Sequence, residues 1–96
     1  MTLTHQDHPP KGRWLLEAPD GTFAGEMTYS WAGTTKFIID HTHVEPQFGG
    51  QGLGKRMVLA AVEYARANEL KIIPLCPFAK SVFDKEVELR DVVFGA

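Results

Sequence analysis

Cys76 is the only cysteine in the chain. No internal disulfide can staple the fold, and a lone thiol suits a reducing compartment. Long apolar runs are missing as well. None approaches the roughly 18 residues that a membrane-crossing helix needs, and the first residues, MTLTHQDHPPKGR, lack the apolar segment of a secretory signal. A basic excess is also absent. The formal charge is -2 with a pI of about 6.0, and Lys and Arg are scattered rather than gathered into the stripe that neutralises phosphates. These absences lead us to expect a cytoplasmic protein with no membrane partner and no nucleic-acid partner.

The 96 residues are 44% hydrophobic and 23% charged, close to the globular average. That excludes a mainly disordered, collagen-like or coiled-coil chain. A domain of this length buries about 60–70% of its unfolded surface, so a small core is feasible and a second catalytic domain is not. Residues 1–11, with two His and Pro9-Pro10 but no apolar periodicity, read as a flexible leader. Residues 12–96 read as a single domain.

The short apolar run Arg13 to Ala18 ends at Pro19-Asp20-Gly21, a turn whose Pro presets φ and whose Gly accepts positive φ. Phe23, Gly25, Met27, Tyr29 and Trp31 then alternate with the period of a half-buried strand. A second turn at Ala32-Gly33-Thr34 leads to Lys36–Val44, rich in β-branched residues. Together these predict an antiparallel meander. In the last of its strands, strict alternation puts Phe37, Ile39, His41 and His43 on one face.

Beyond Glu45-Pro46 lies the glycine-dense loop Gly49-Gly50-Gln51-Gly52-Leu53-Gly54, then a helix predicted from about Lys55 to Ala67. Its Met57, Val58, Ala61, Val62 and Ala65 form a wide apolar stripe suited to lying on a sheet, and Tyr64 reads as a packing residue. Leu70 to Cys76 reads as a fourth strand, reached through the helix and therefore parallel to the third. Phe78, Val82 and Phe83 suggest a short second helix, and the tail from Val87 to Ala96 is ambiguous.

A strand, a glycine-rich turn and a helix start together suit an anion, because the first helical N–H groups have no internal partner. Two nucleotide-binding patterns fail here. The dinucleotide fingerprint needs a third glycine where Lys55 stands, and the P-loop needs a hydroxyl where Arg56 stands. A flexible loop rich in glycine for packing reasons is the plain alternative.

A further pattern fits. His41-Thr42, Val44, the loop Gly50-Gln51-Gly52-Leu53-Gly54, the helix with Ala61, Tyr64, Ala65 and Arg66, and Leu75-Cys76-Pro77-Phe78 together resemble the GNAT N-acetyltransferase superfamily. The likeness, to its short single-domain YjdJ-type members in particular, spans about Trp14 to Val93. It implies an α/β (α+β) GNAT-like fold: an antiparallel meander, a β-α-β crossover with splayed strands, and a short C-terminal helix. The implied ligand is acetyl-CoA or CoA. Its pyrophosphate would sit on Gln51 to Lys55 and its pantetheine arm in the splay, with contacts from Val44, Gly50, Gln51, Gly52, Leu53, Gly54, Lys55, Arg56, Pro77 and Phe78. Pro74, with no N–H to donate, supplies a reason for splaying, although an edge or bulge proline reads the same way. The chain departs from the superfamily twice, with Gly49 in place of a loop Arg or Gln and His43 in place of an acidic residue.

The resemblance implies acetyl transfer to an amine, either a small amine or a protein lysine, by a monomer or weak homodimer. The candidate catalytic residues are Cys76, His41 and His43. A neutral imidazole can take a proton from an attacking ammonium group, while the plain readings are a backbone-bonded His41 and a solvated His43. Two His on one strand do not complete a metal site, so none is expected. Cys76, directly before a helix, is either an activated thiol or a small buried hydrophobe. The rival to an enzyme is a CoA-binding module or sensor without turnover.

Overall fold

Period-two alternation and two tight turns lay down the antiparallel part of the sheet as expected. The computed structural model describes all 96 residues, Met1–Ala96. The meander comprises β2 (Lys11–Glu17), β3 (Phe23–Trp31) and β4 (Lys36–Val44). The helix α1 (Leu53–Ala67) crosses to β5 (Lys71–Pro74), which pairs parallel to β4. Then comes α2 (Pro77–Lys85), and the ambiguous tail resolves into a 3-10 segment, Val87–Val92. Arg66 of α1 anchors that segment through Asp91 at 2.7 Å and the Glu88 carbonyl at 2.9 Å.

The expected leader is instead a strand. β1 (Thr2–His8) pairs antiparallel with β2 along its whole length, so the sheet has five strands in the order β1-β2-β3-β4-β5. Apolar periodicity could not show this, because the helix-facing residues of β1 after Leu3 are His5 and Asp7. They are secured by polar bonds instead. Tyr29 donates to Asp7 Oδ1 at 2.6 Å and accepts from His5 Nε2 at 2.8 Å, and Trp31 Nε1 donates to the same carboxylate at 2.8 Å. His5 also stacks on Trp14 with centroids 4.3 Å apart, and Tyr64 meets it edge-on at 4.5 Å. Tyr64 is thus a packing residue, as the sequence suggests. Gly12 makes room for this arrangement, since a Cβ there would lie 2.2 Å from the Tyr29 ring.

One continuous core of 21 buried apolar residues lies on this face of the sheet, with Trp14, Leu16, Met27, Tyr29, Phe37 and Ile39 beneath the apolar stripes of α1 and α2. No polar side chain is buried with them. Both helices therefore share one face, and the other face of the sheet carries no second layer. No helix is long and apolar enough to cross a membrane.

The alternation expected for β4 fails at one point. Thr28 pairs with His41 but Tyr29 pairs with Ile39, leaving Asp40 as an extra residue in a β-bulge. The bulge reverses the pleat. Phe37 and Ile39 face the core, but beyond the bulge Thr42 and Val44 take that side, and His41 and His43 emerge on the bare face. The four residues assigned to one face are divided between two.

Burial holds the His5 pKa below its ordinary value of 6.5, although the Asp7 charge pulls it up. The unfolded chain therefore takes up this proton first as pH falls, so His5 costs stability from about its ordinary value downward. The Asp7 carboxyl, exposed but partly desolvated, is held below the usual range by its bonds from Tyr29 and Trp31, and its contribution is lost only at lower pH. The urea midpoint should therefore drop between pH 7 and 5, and less steeply in His5→Gln, which keeps a donor to Tyr29 but does not titrate. Gly12→Ala should lower stability by about 1–3 kcal/mol, read as a lower Tm.

Candidate active site

Pairing between β4 and β5 runs only from Lys36↔Lys71 to Ile39↔Pro74. Pro74 has no N–H, so it cannot extend the ladder. The Ile39 carbonyl is taken by the Cys76 amide at 3.1 Å, and from there the chain turns into α2. Residues 40–44 of β4 continue with no strand on that edge. The splay expected from Pro74 is present.

The glycine loop opens on the helix side of this split. Gly50 and Gly52 have φ of 77° and 73°, and Gly52 is the N-cap of α1. Left-handed backbone at these two positions turns the loop so that the helix begins at Leu53, two residues earlier than expected. None of the amides of residues 50 to 55 has a backbone acceptor, the first helical bond being Arg56 N–H to Gly52 O at 3.0 Å. Unpartnered donors at the positive end of a helix dipole are the kind of group that suits a phosphate-sized anion. Gly54 also lets α2 approach, since a Cβ there would lie 2.7 Å from the Phe78 ring.

A cleft of about 490 Å³ runs from this loop towards the split. Of the expected contacts, Val44, Gly50, Gly52, Leu53, Gly54, Lys55 and Phe78 line it, together with Thr42. Gln51, Arg56 and Pro77 lie outside its lining. Arg56 turns instead towards the Met1 carbonyl at 3.5 Å. Lys55 is engaged by Glu86, which raises the lysine pKa and lowers that of the carboxyl. Sequence reasoning missed Phe48, Ser81, Lys85 and Glu86 on the cleft wall. Phe78, Ser81, Val82 and Lys85 follow helical spacing on α2, so the signal was available.

Cys76 is the N-cap of α2, only 5% exposed, with Sγ 3.4 Å from the Thr42 hydroxyl. Burial opposes ionisation of this thiol. The Thr42 bond and the nearby Ala79 and Phe78 amides outweigh it, and the pKa is lowered. Those amides complete no capping bond to Sγ, so their effect is through the charge they would stabilise. His43 bonds Glu45 at 2.7 Å and is 57% exposed, away from Cys76. His41 lies on the bare face, where it lines a separate, larger trough of about 720 Å³. The structure therefore does not gather Cys76, His41 and His43 into one cluster. Cys76 and His41 flank the split from opposite sides, and no group of three or more metal-binding side chains exists.

Residues 13–92 match the sequence profile of the GCN5-related N-acetyltransferase family. The chain belongs to that family. This GCN5-related chain is 37% identical to a GCN5-like protein of Staphylococcus aureus whose solution structure covers 98% of it, with a TM-score of 0.73 and 90% of that chain matched. Its fold also matches the ribosomal-protein-alanine N-acetyltransferase of Brucella melitensis biovar Abortus 2308, with a TM-score of 0.68 at 15% identity over 81% of this chain and 62% of that one. A GNAT family acetyltransferase of Elizabethkingia anophelis, solved with acetyl-CoA bound, gives a TM-score of 0.59 at 15% identity over 68% of this chain and 42% of that one. The chain thus spans less than two thirds of those two longer proteins. No curated protein matches it.

The Thr42 contact should govern thiol ionisation. In Thr42→Val the midpoint of Cys76 alkylation by iodoacetamide should move to higher pH, because a hydrogen bond to the thiolate is lost.

Proposed function

We propose that this chain transfers an acetyl group from acetyl-CoA to an amine, the amine being a small molecule or a protein lysine. The observation that carries this reading is the run of unpartnered amides from Gly50 to Lys55 at the mouth of a cleft that leads to the β4–β5 split. That donor set fits a diphosphate, and the strand edge of residues 40–44 offers unpaired backbone to an extended amide-bearing arm. Acetyl-CoA, when bound, supplies the activated thioester. Lys55 and the loop amides hold the diphosphate, and Leu53, Phe48 and Phe78 give apolar walls. His41, across the split, takes the proton that the amine must lose. Positioning the two reactants supplies most of the rate. The lowered pKa and 5% exposure of Cys76 also suit a route in which its thiolate carries the acetyl group, and mutation separates the two.

Calorimetry should show heat on titrating CoA, and acetyl-CoA with a panel of polyamines, amino acids and lysine peptides should release free thiol. No heat and no rise in Tm with millimolar CoA would sink the proposal. CoA binding without turnover on any amine would leave the alternative, a CoA-binding module. Lys55→Met should weaken CoA about three- to tenfold, and Glu86→Gln, by removing the carboxylate that competes for Lys55, should tighten it about threefold. For direct attack, Cys76→Ala should keep turnover within about tenfold while His41→Ala loses about a hundredfold. A loss above about a thousandfold in Cys76→Ala would instead assign the covalent route.

A further inference from the structure

The bare face of the sheet is not featureless. Register aligns Gln6, Arg13, Thr28 and His41 as cross-strand neighbours there, and the trough of about 720 Å³ runs over them to Asp40 and Leu75. Leu75 is 66% exposed and directly precedes Cys76, where β5 has parted from β4. Trough and glycine cleft therefore meet the split from opposite faces. Thr42 lines the cleft, and its neighbour His41 lines the trough.

Most polar groups in the trough are already committed. Arg13 donates to Gln6 at 2.8 Å and to Glu26 at 2.9 Å. Lys11 Nζ donates to Ser30 Oγ at 2.7 Å, and Ser30 Oγ donates to Asp40 Oδ2 at 2.6 Å. That relay orients the Asp40 carboxylate, yet Oδ1 has no protein donor. The bulge lets Asp40 and His41 line the same trough, since regular pleating would send consecutive residues to opposite faces. A carboxylate held in place with one oxygen free can bind an ammonium group, and an imidazole lining the same trough can receive its proton.

We propose that the trough is the acceptor site and that Asp40 selects a primary alkylammonium group, the chemistry of a lysine side chain. This deepens the acetyl-transfer reading and rests on it. The trough is open along its length, so an extended alkyl chain can lie across the strands with its nitrogen at the split. His41 accepts one proton from the ammonium and passes it to water. The freed lone pair forms the C–N bond as the C–S bond breaks, and the second nitrogen proton leaves with the sulfur. Asp40 is a positioning residue in this scheme, holding the amine without bonding to the reacting carbon.

The test uses the full chain with saturating acetyl-CoA and two nucleophiles, Nα-acetyl-lysine amide and hydroxylamine, the latter uncharged at neutral pH. Asp40→Asn should raise KM for the lysine amide about tenfold with kcat little changed, so that the lysine-to-hydroxylamine ratio of kcat/KM falls about tenfold. Asp40→Glu should restore part of it. An equal loss for both nucleophiles, or no change in the ratio, overturns the proposal. A second arm does not need turnover. With CoA present, n-butylammonium should shift the amide resonances of Thr28 and His41 in the wild type and not in Asp40→Asn, and absence of those shifts in the wild type also overturns it. Calorimetric CoA binding by the wild type is read separately. Its failure removes the acetyl-transfer reading, whereas intact CoA binding with an unmoved ratio removes only the role of Asp40.

Discussion

One missing donor shapes the centre of the molecule. At Pro74 the β4–β5 ladder has no N–H to continue with, and the Ile39 carbonyl opposite is satisfied by Cys76 from the next turn of chain. Two parallel strands that would otherwise run together are forced apart at that register. The gap lies between the last two strands of the sheet and is open to both of its faces. The bulge at Asp40 falls directly beside it, so the strand both loses its neighbour and reverses its faces within two residues.

This coincidence divides the work by side. The helix face holds all the buried apolar area, the glycine loop and the Cys76–Thr42 contact. The other face holds His41, His43 and a lattice of polar cross-strand pairs. The glycine loop is thus set against the packed core, its backbone shaped by the left-handed Gly50 and Gly52. The loop also has an internal counter-charge, because Glu86 occupies Lys55. An arriving anion therefore meets backbone donors first and gains the side chain only by displacing a carboxylate.

Much of this was legible from residues alone. Strong alternation in 23–31, the Pro-Asp-Gly and Ala-Gly-Thr turns, and the apolar stripe of α1 all specify their elements locally. So did the glycine loop, because unpartnered helix amides follow from any helix start. Two failures share a cause. β1 shows no strand pattern on its own because His5 and Asp7 stand where apolar residues would be expected, and their partners Tyr29 and Trp31 lie more than twenty residues away. The Asp40 bulge escaped for the same reason. An extra residue in a ladder is a property of the pairing, and Lys36–Val44 read alone is an unbroken strand. Polar side chains used as structure, and register, are the two things a local pattern does not carry.

The absence of a second layer has an evolutionary consequence. Side chains beneath the helices are locked into close packing, where altering one methylene disturbs its neighbours. Those on the uncovered side bond to one another outside the core, so exchanging them leaves the interior intact. A lineage could thus retune what its sheet recognises while retaining the same hydrophobic interior, and drift should concentrate on positions such as Gln6, Arg13, Glu26 and Thr28.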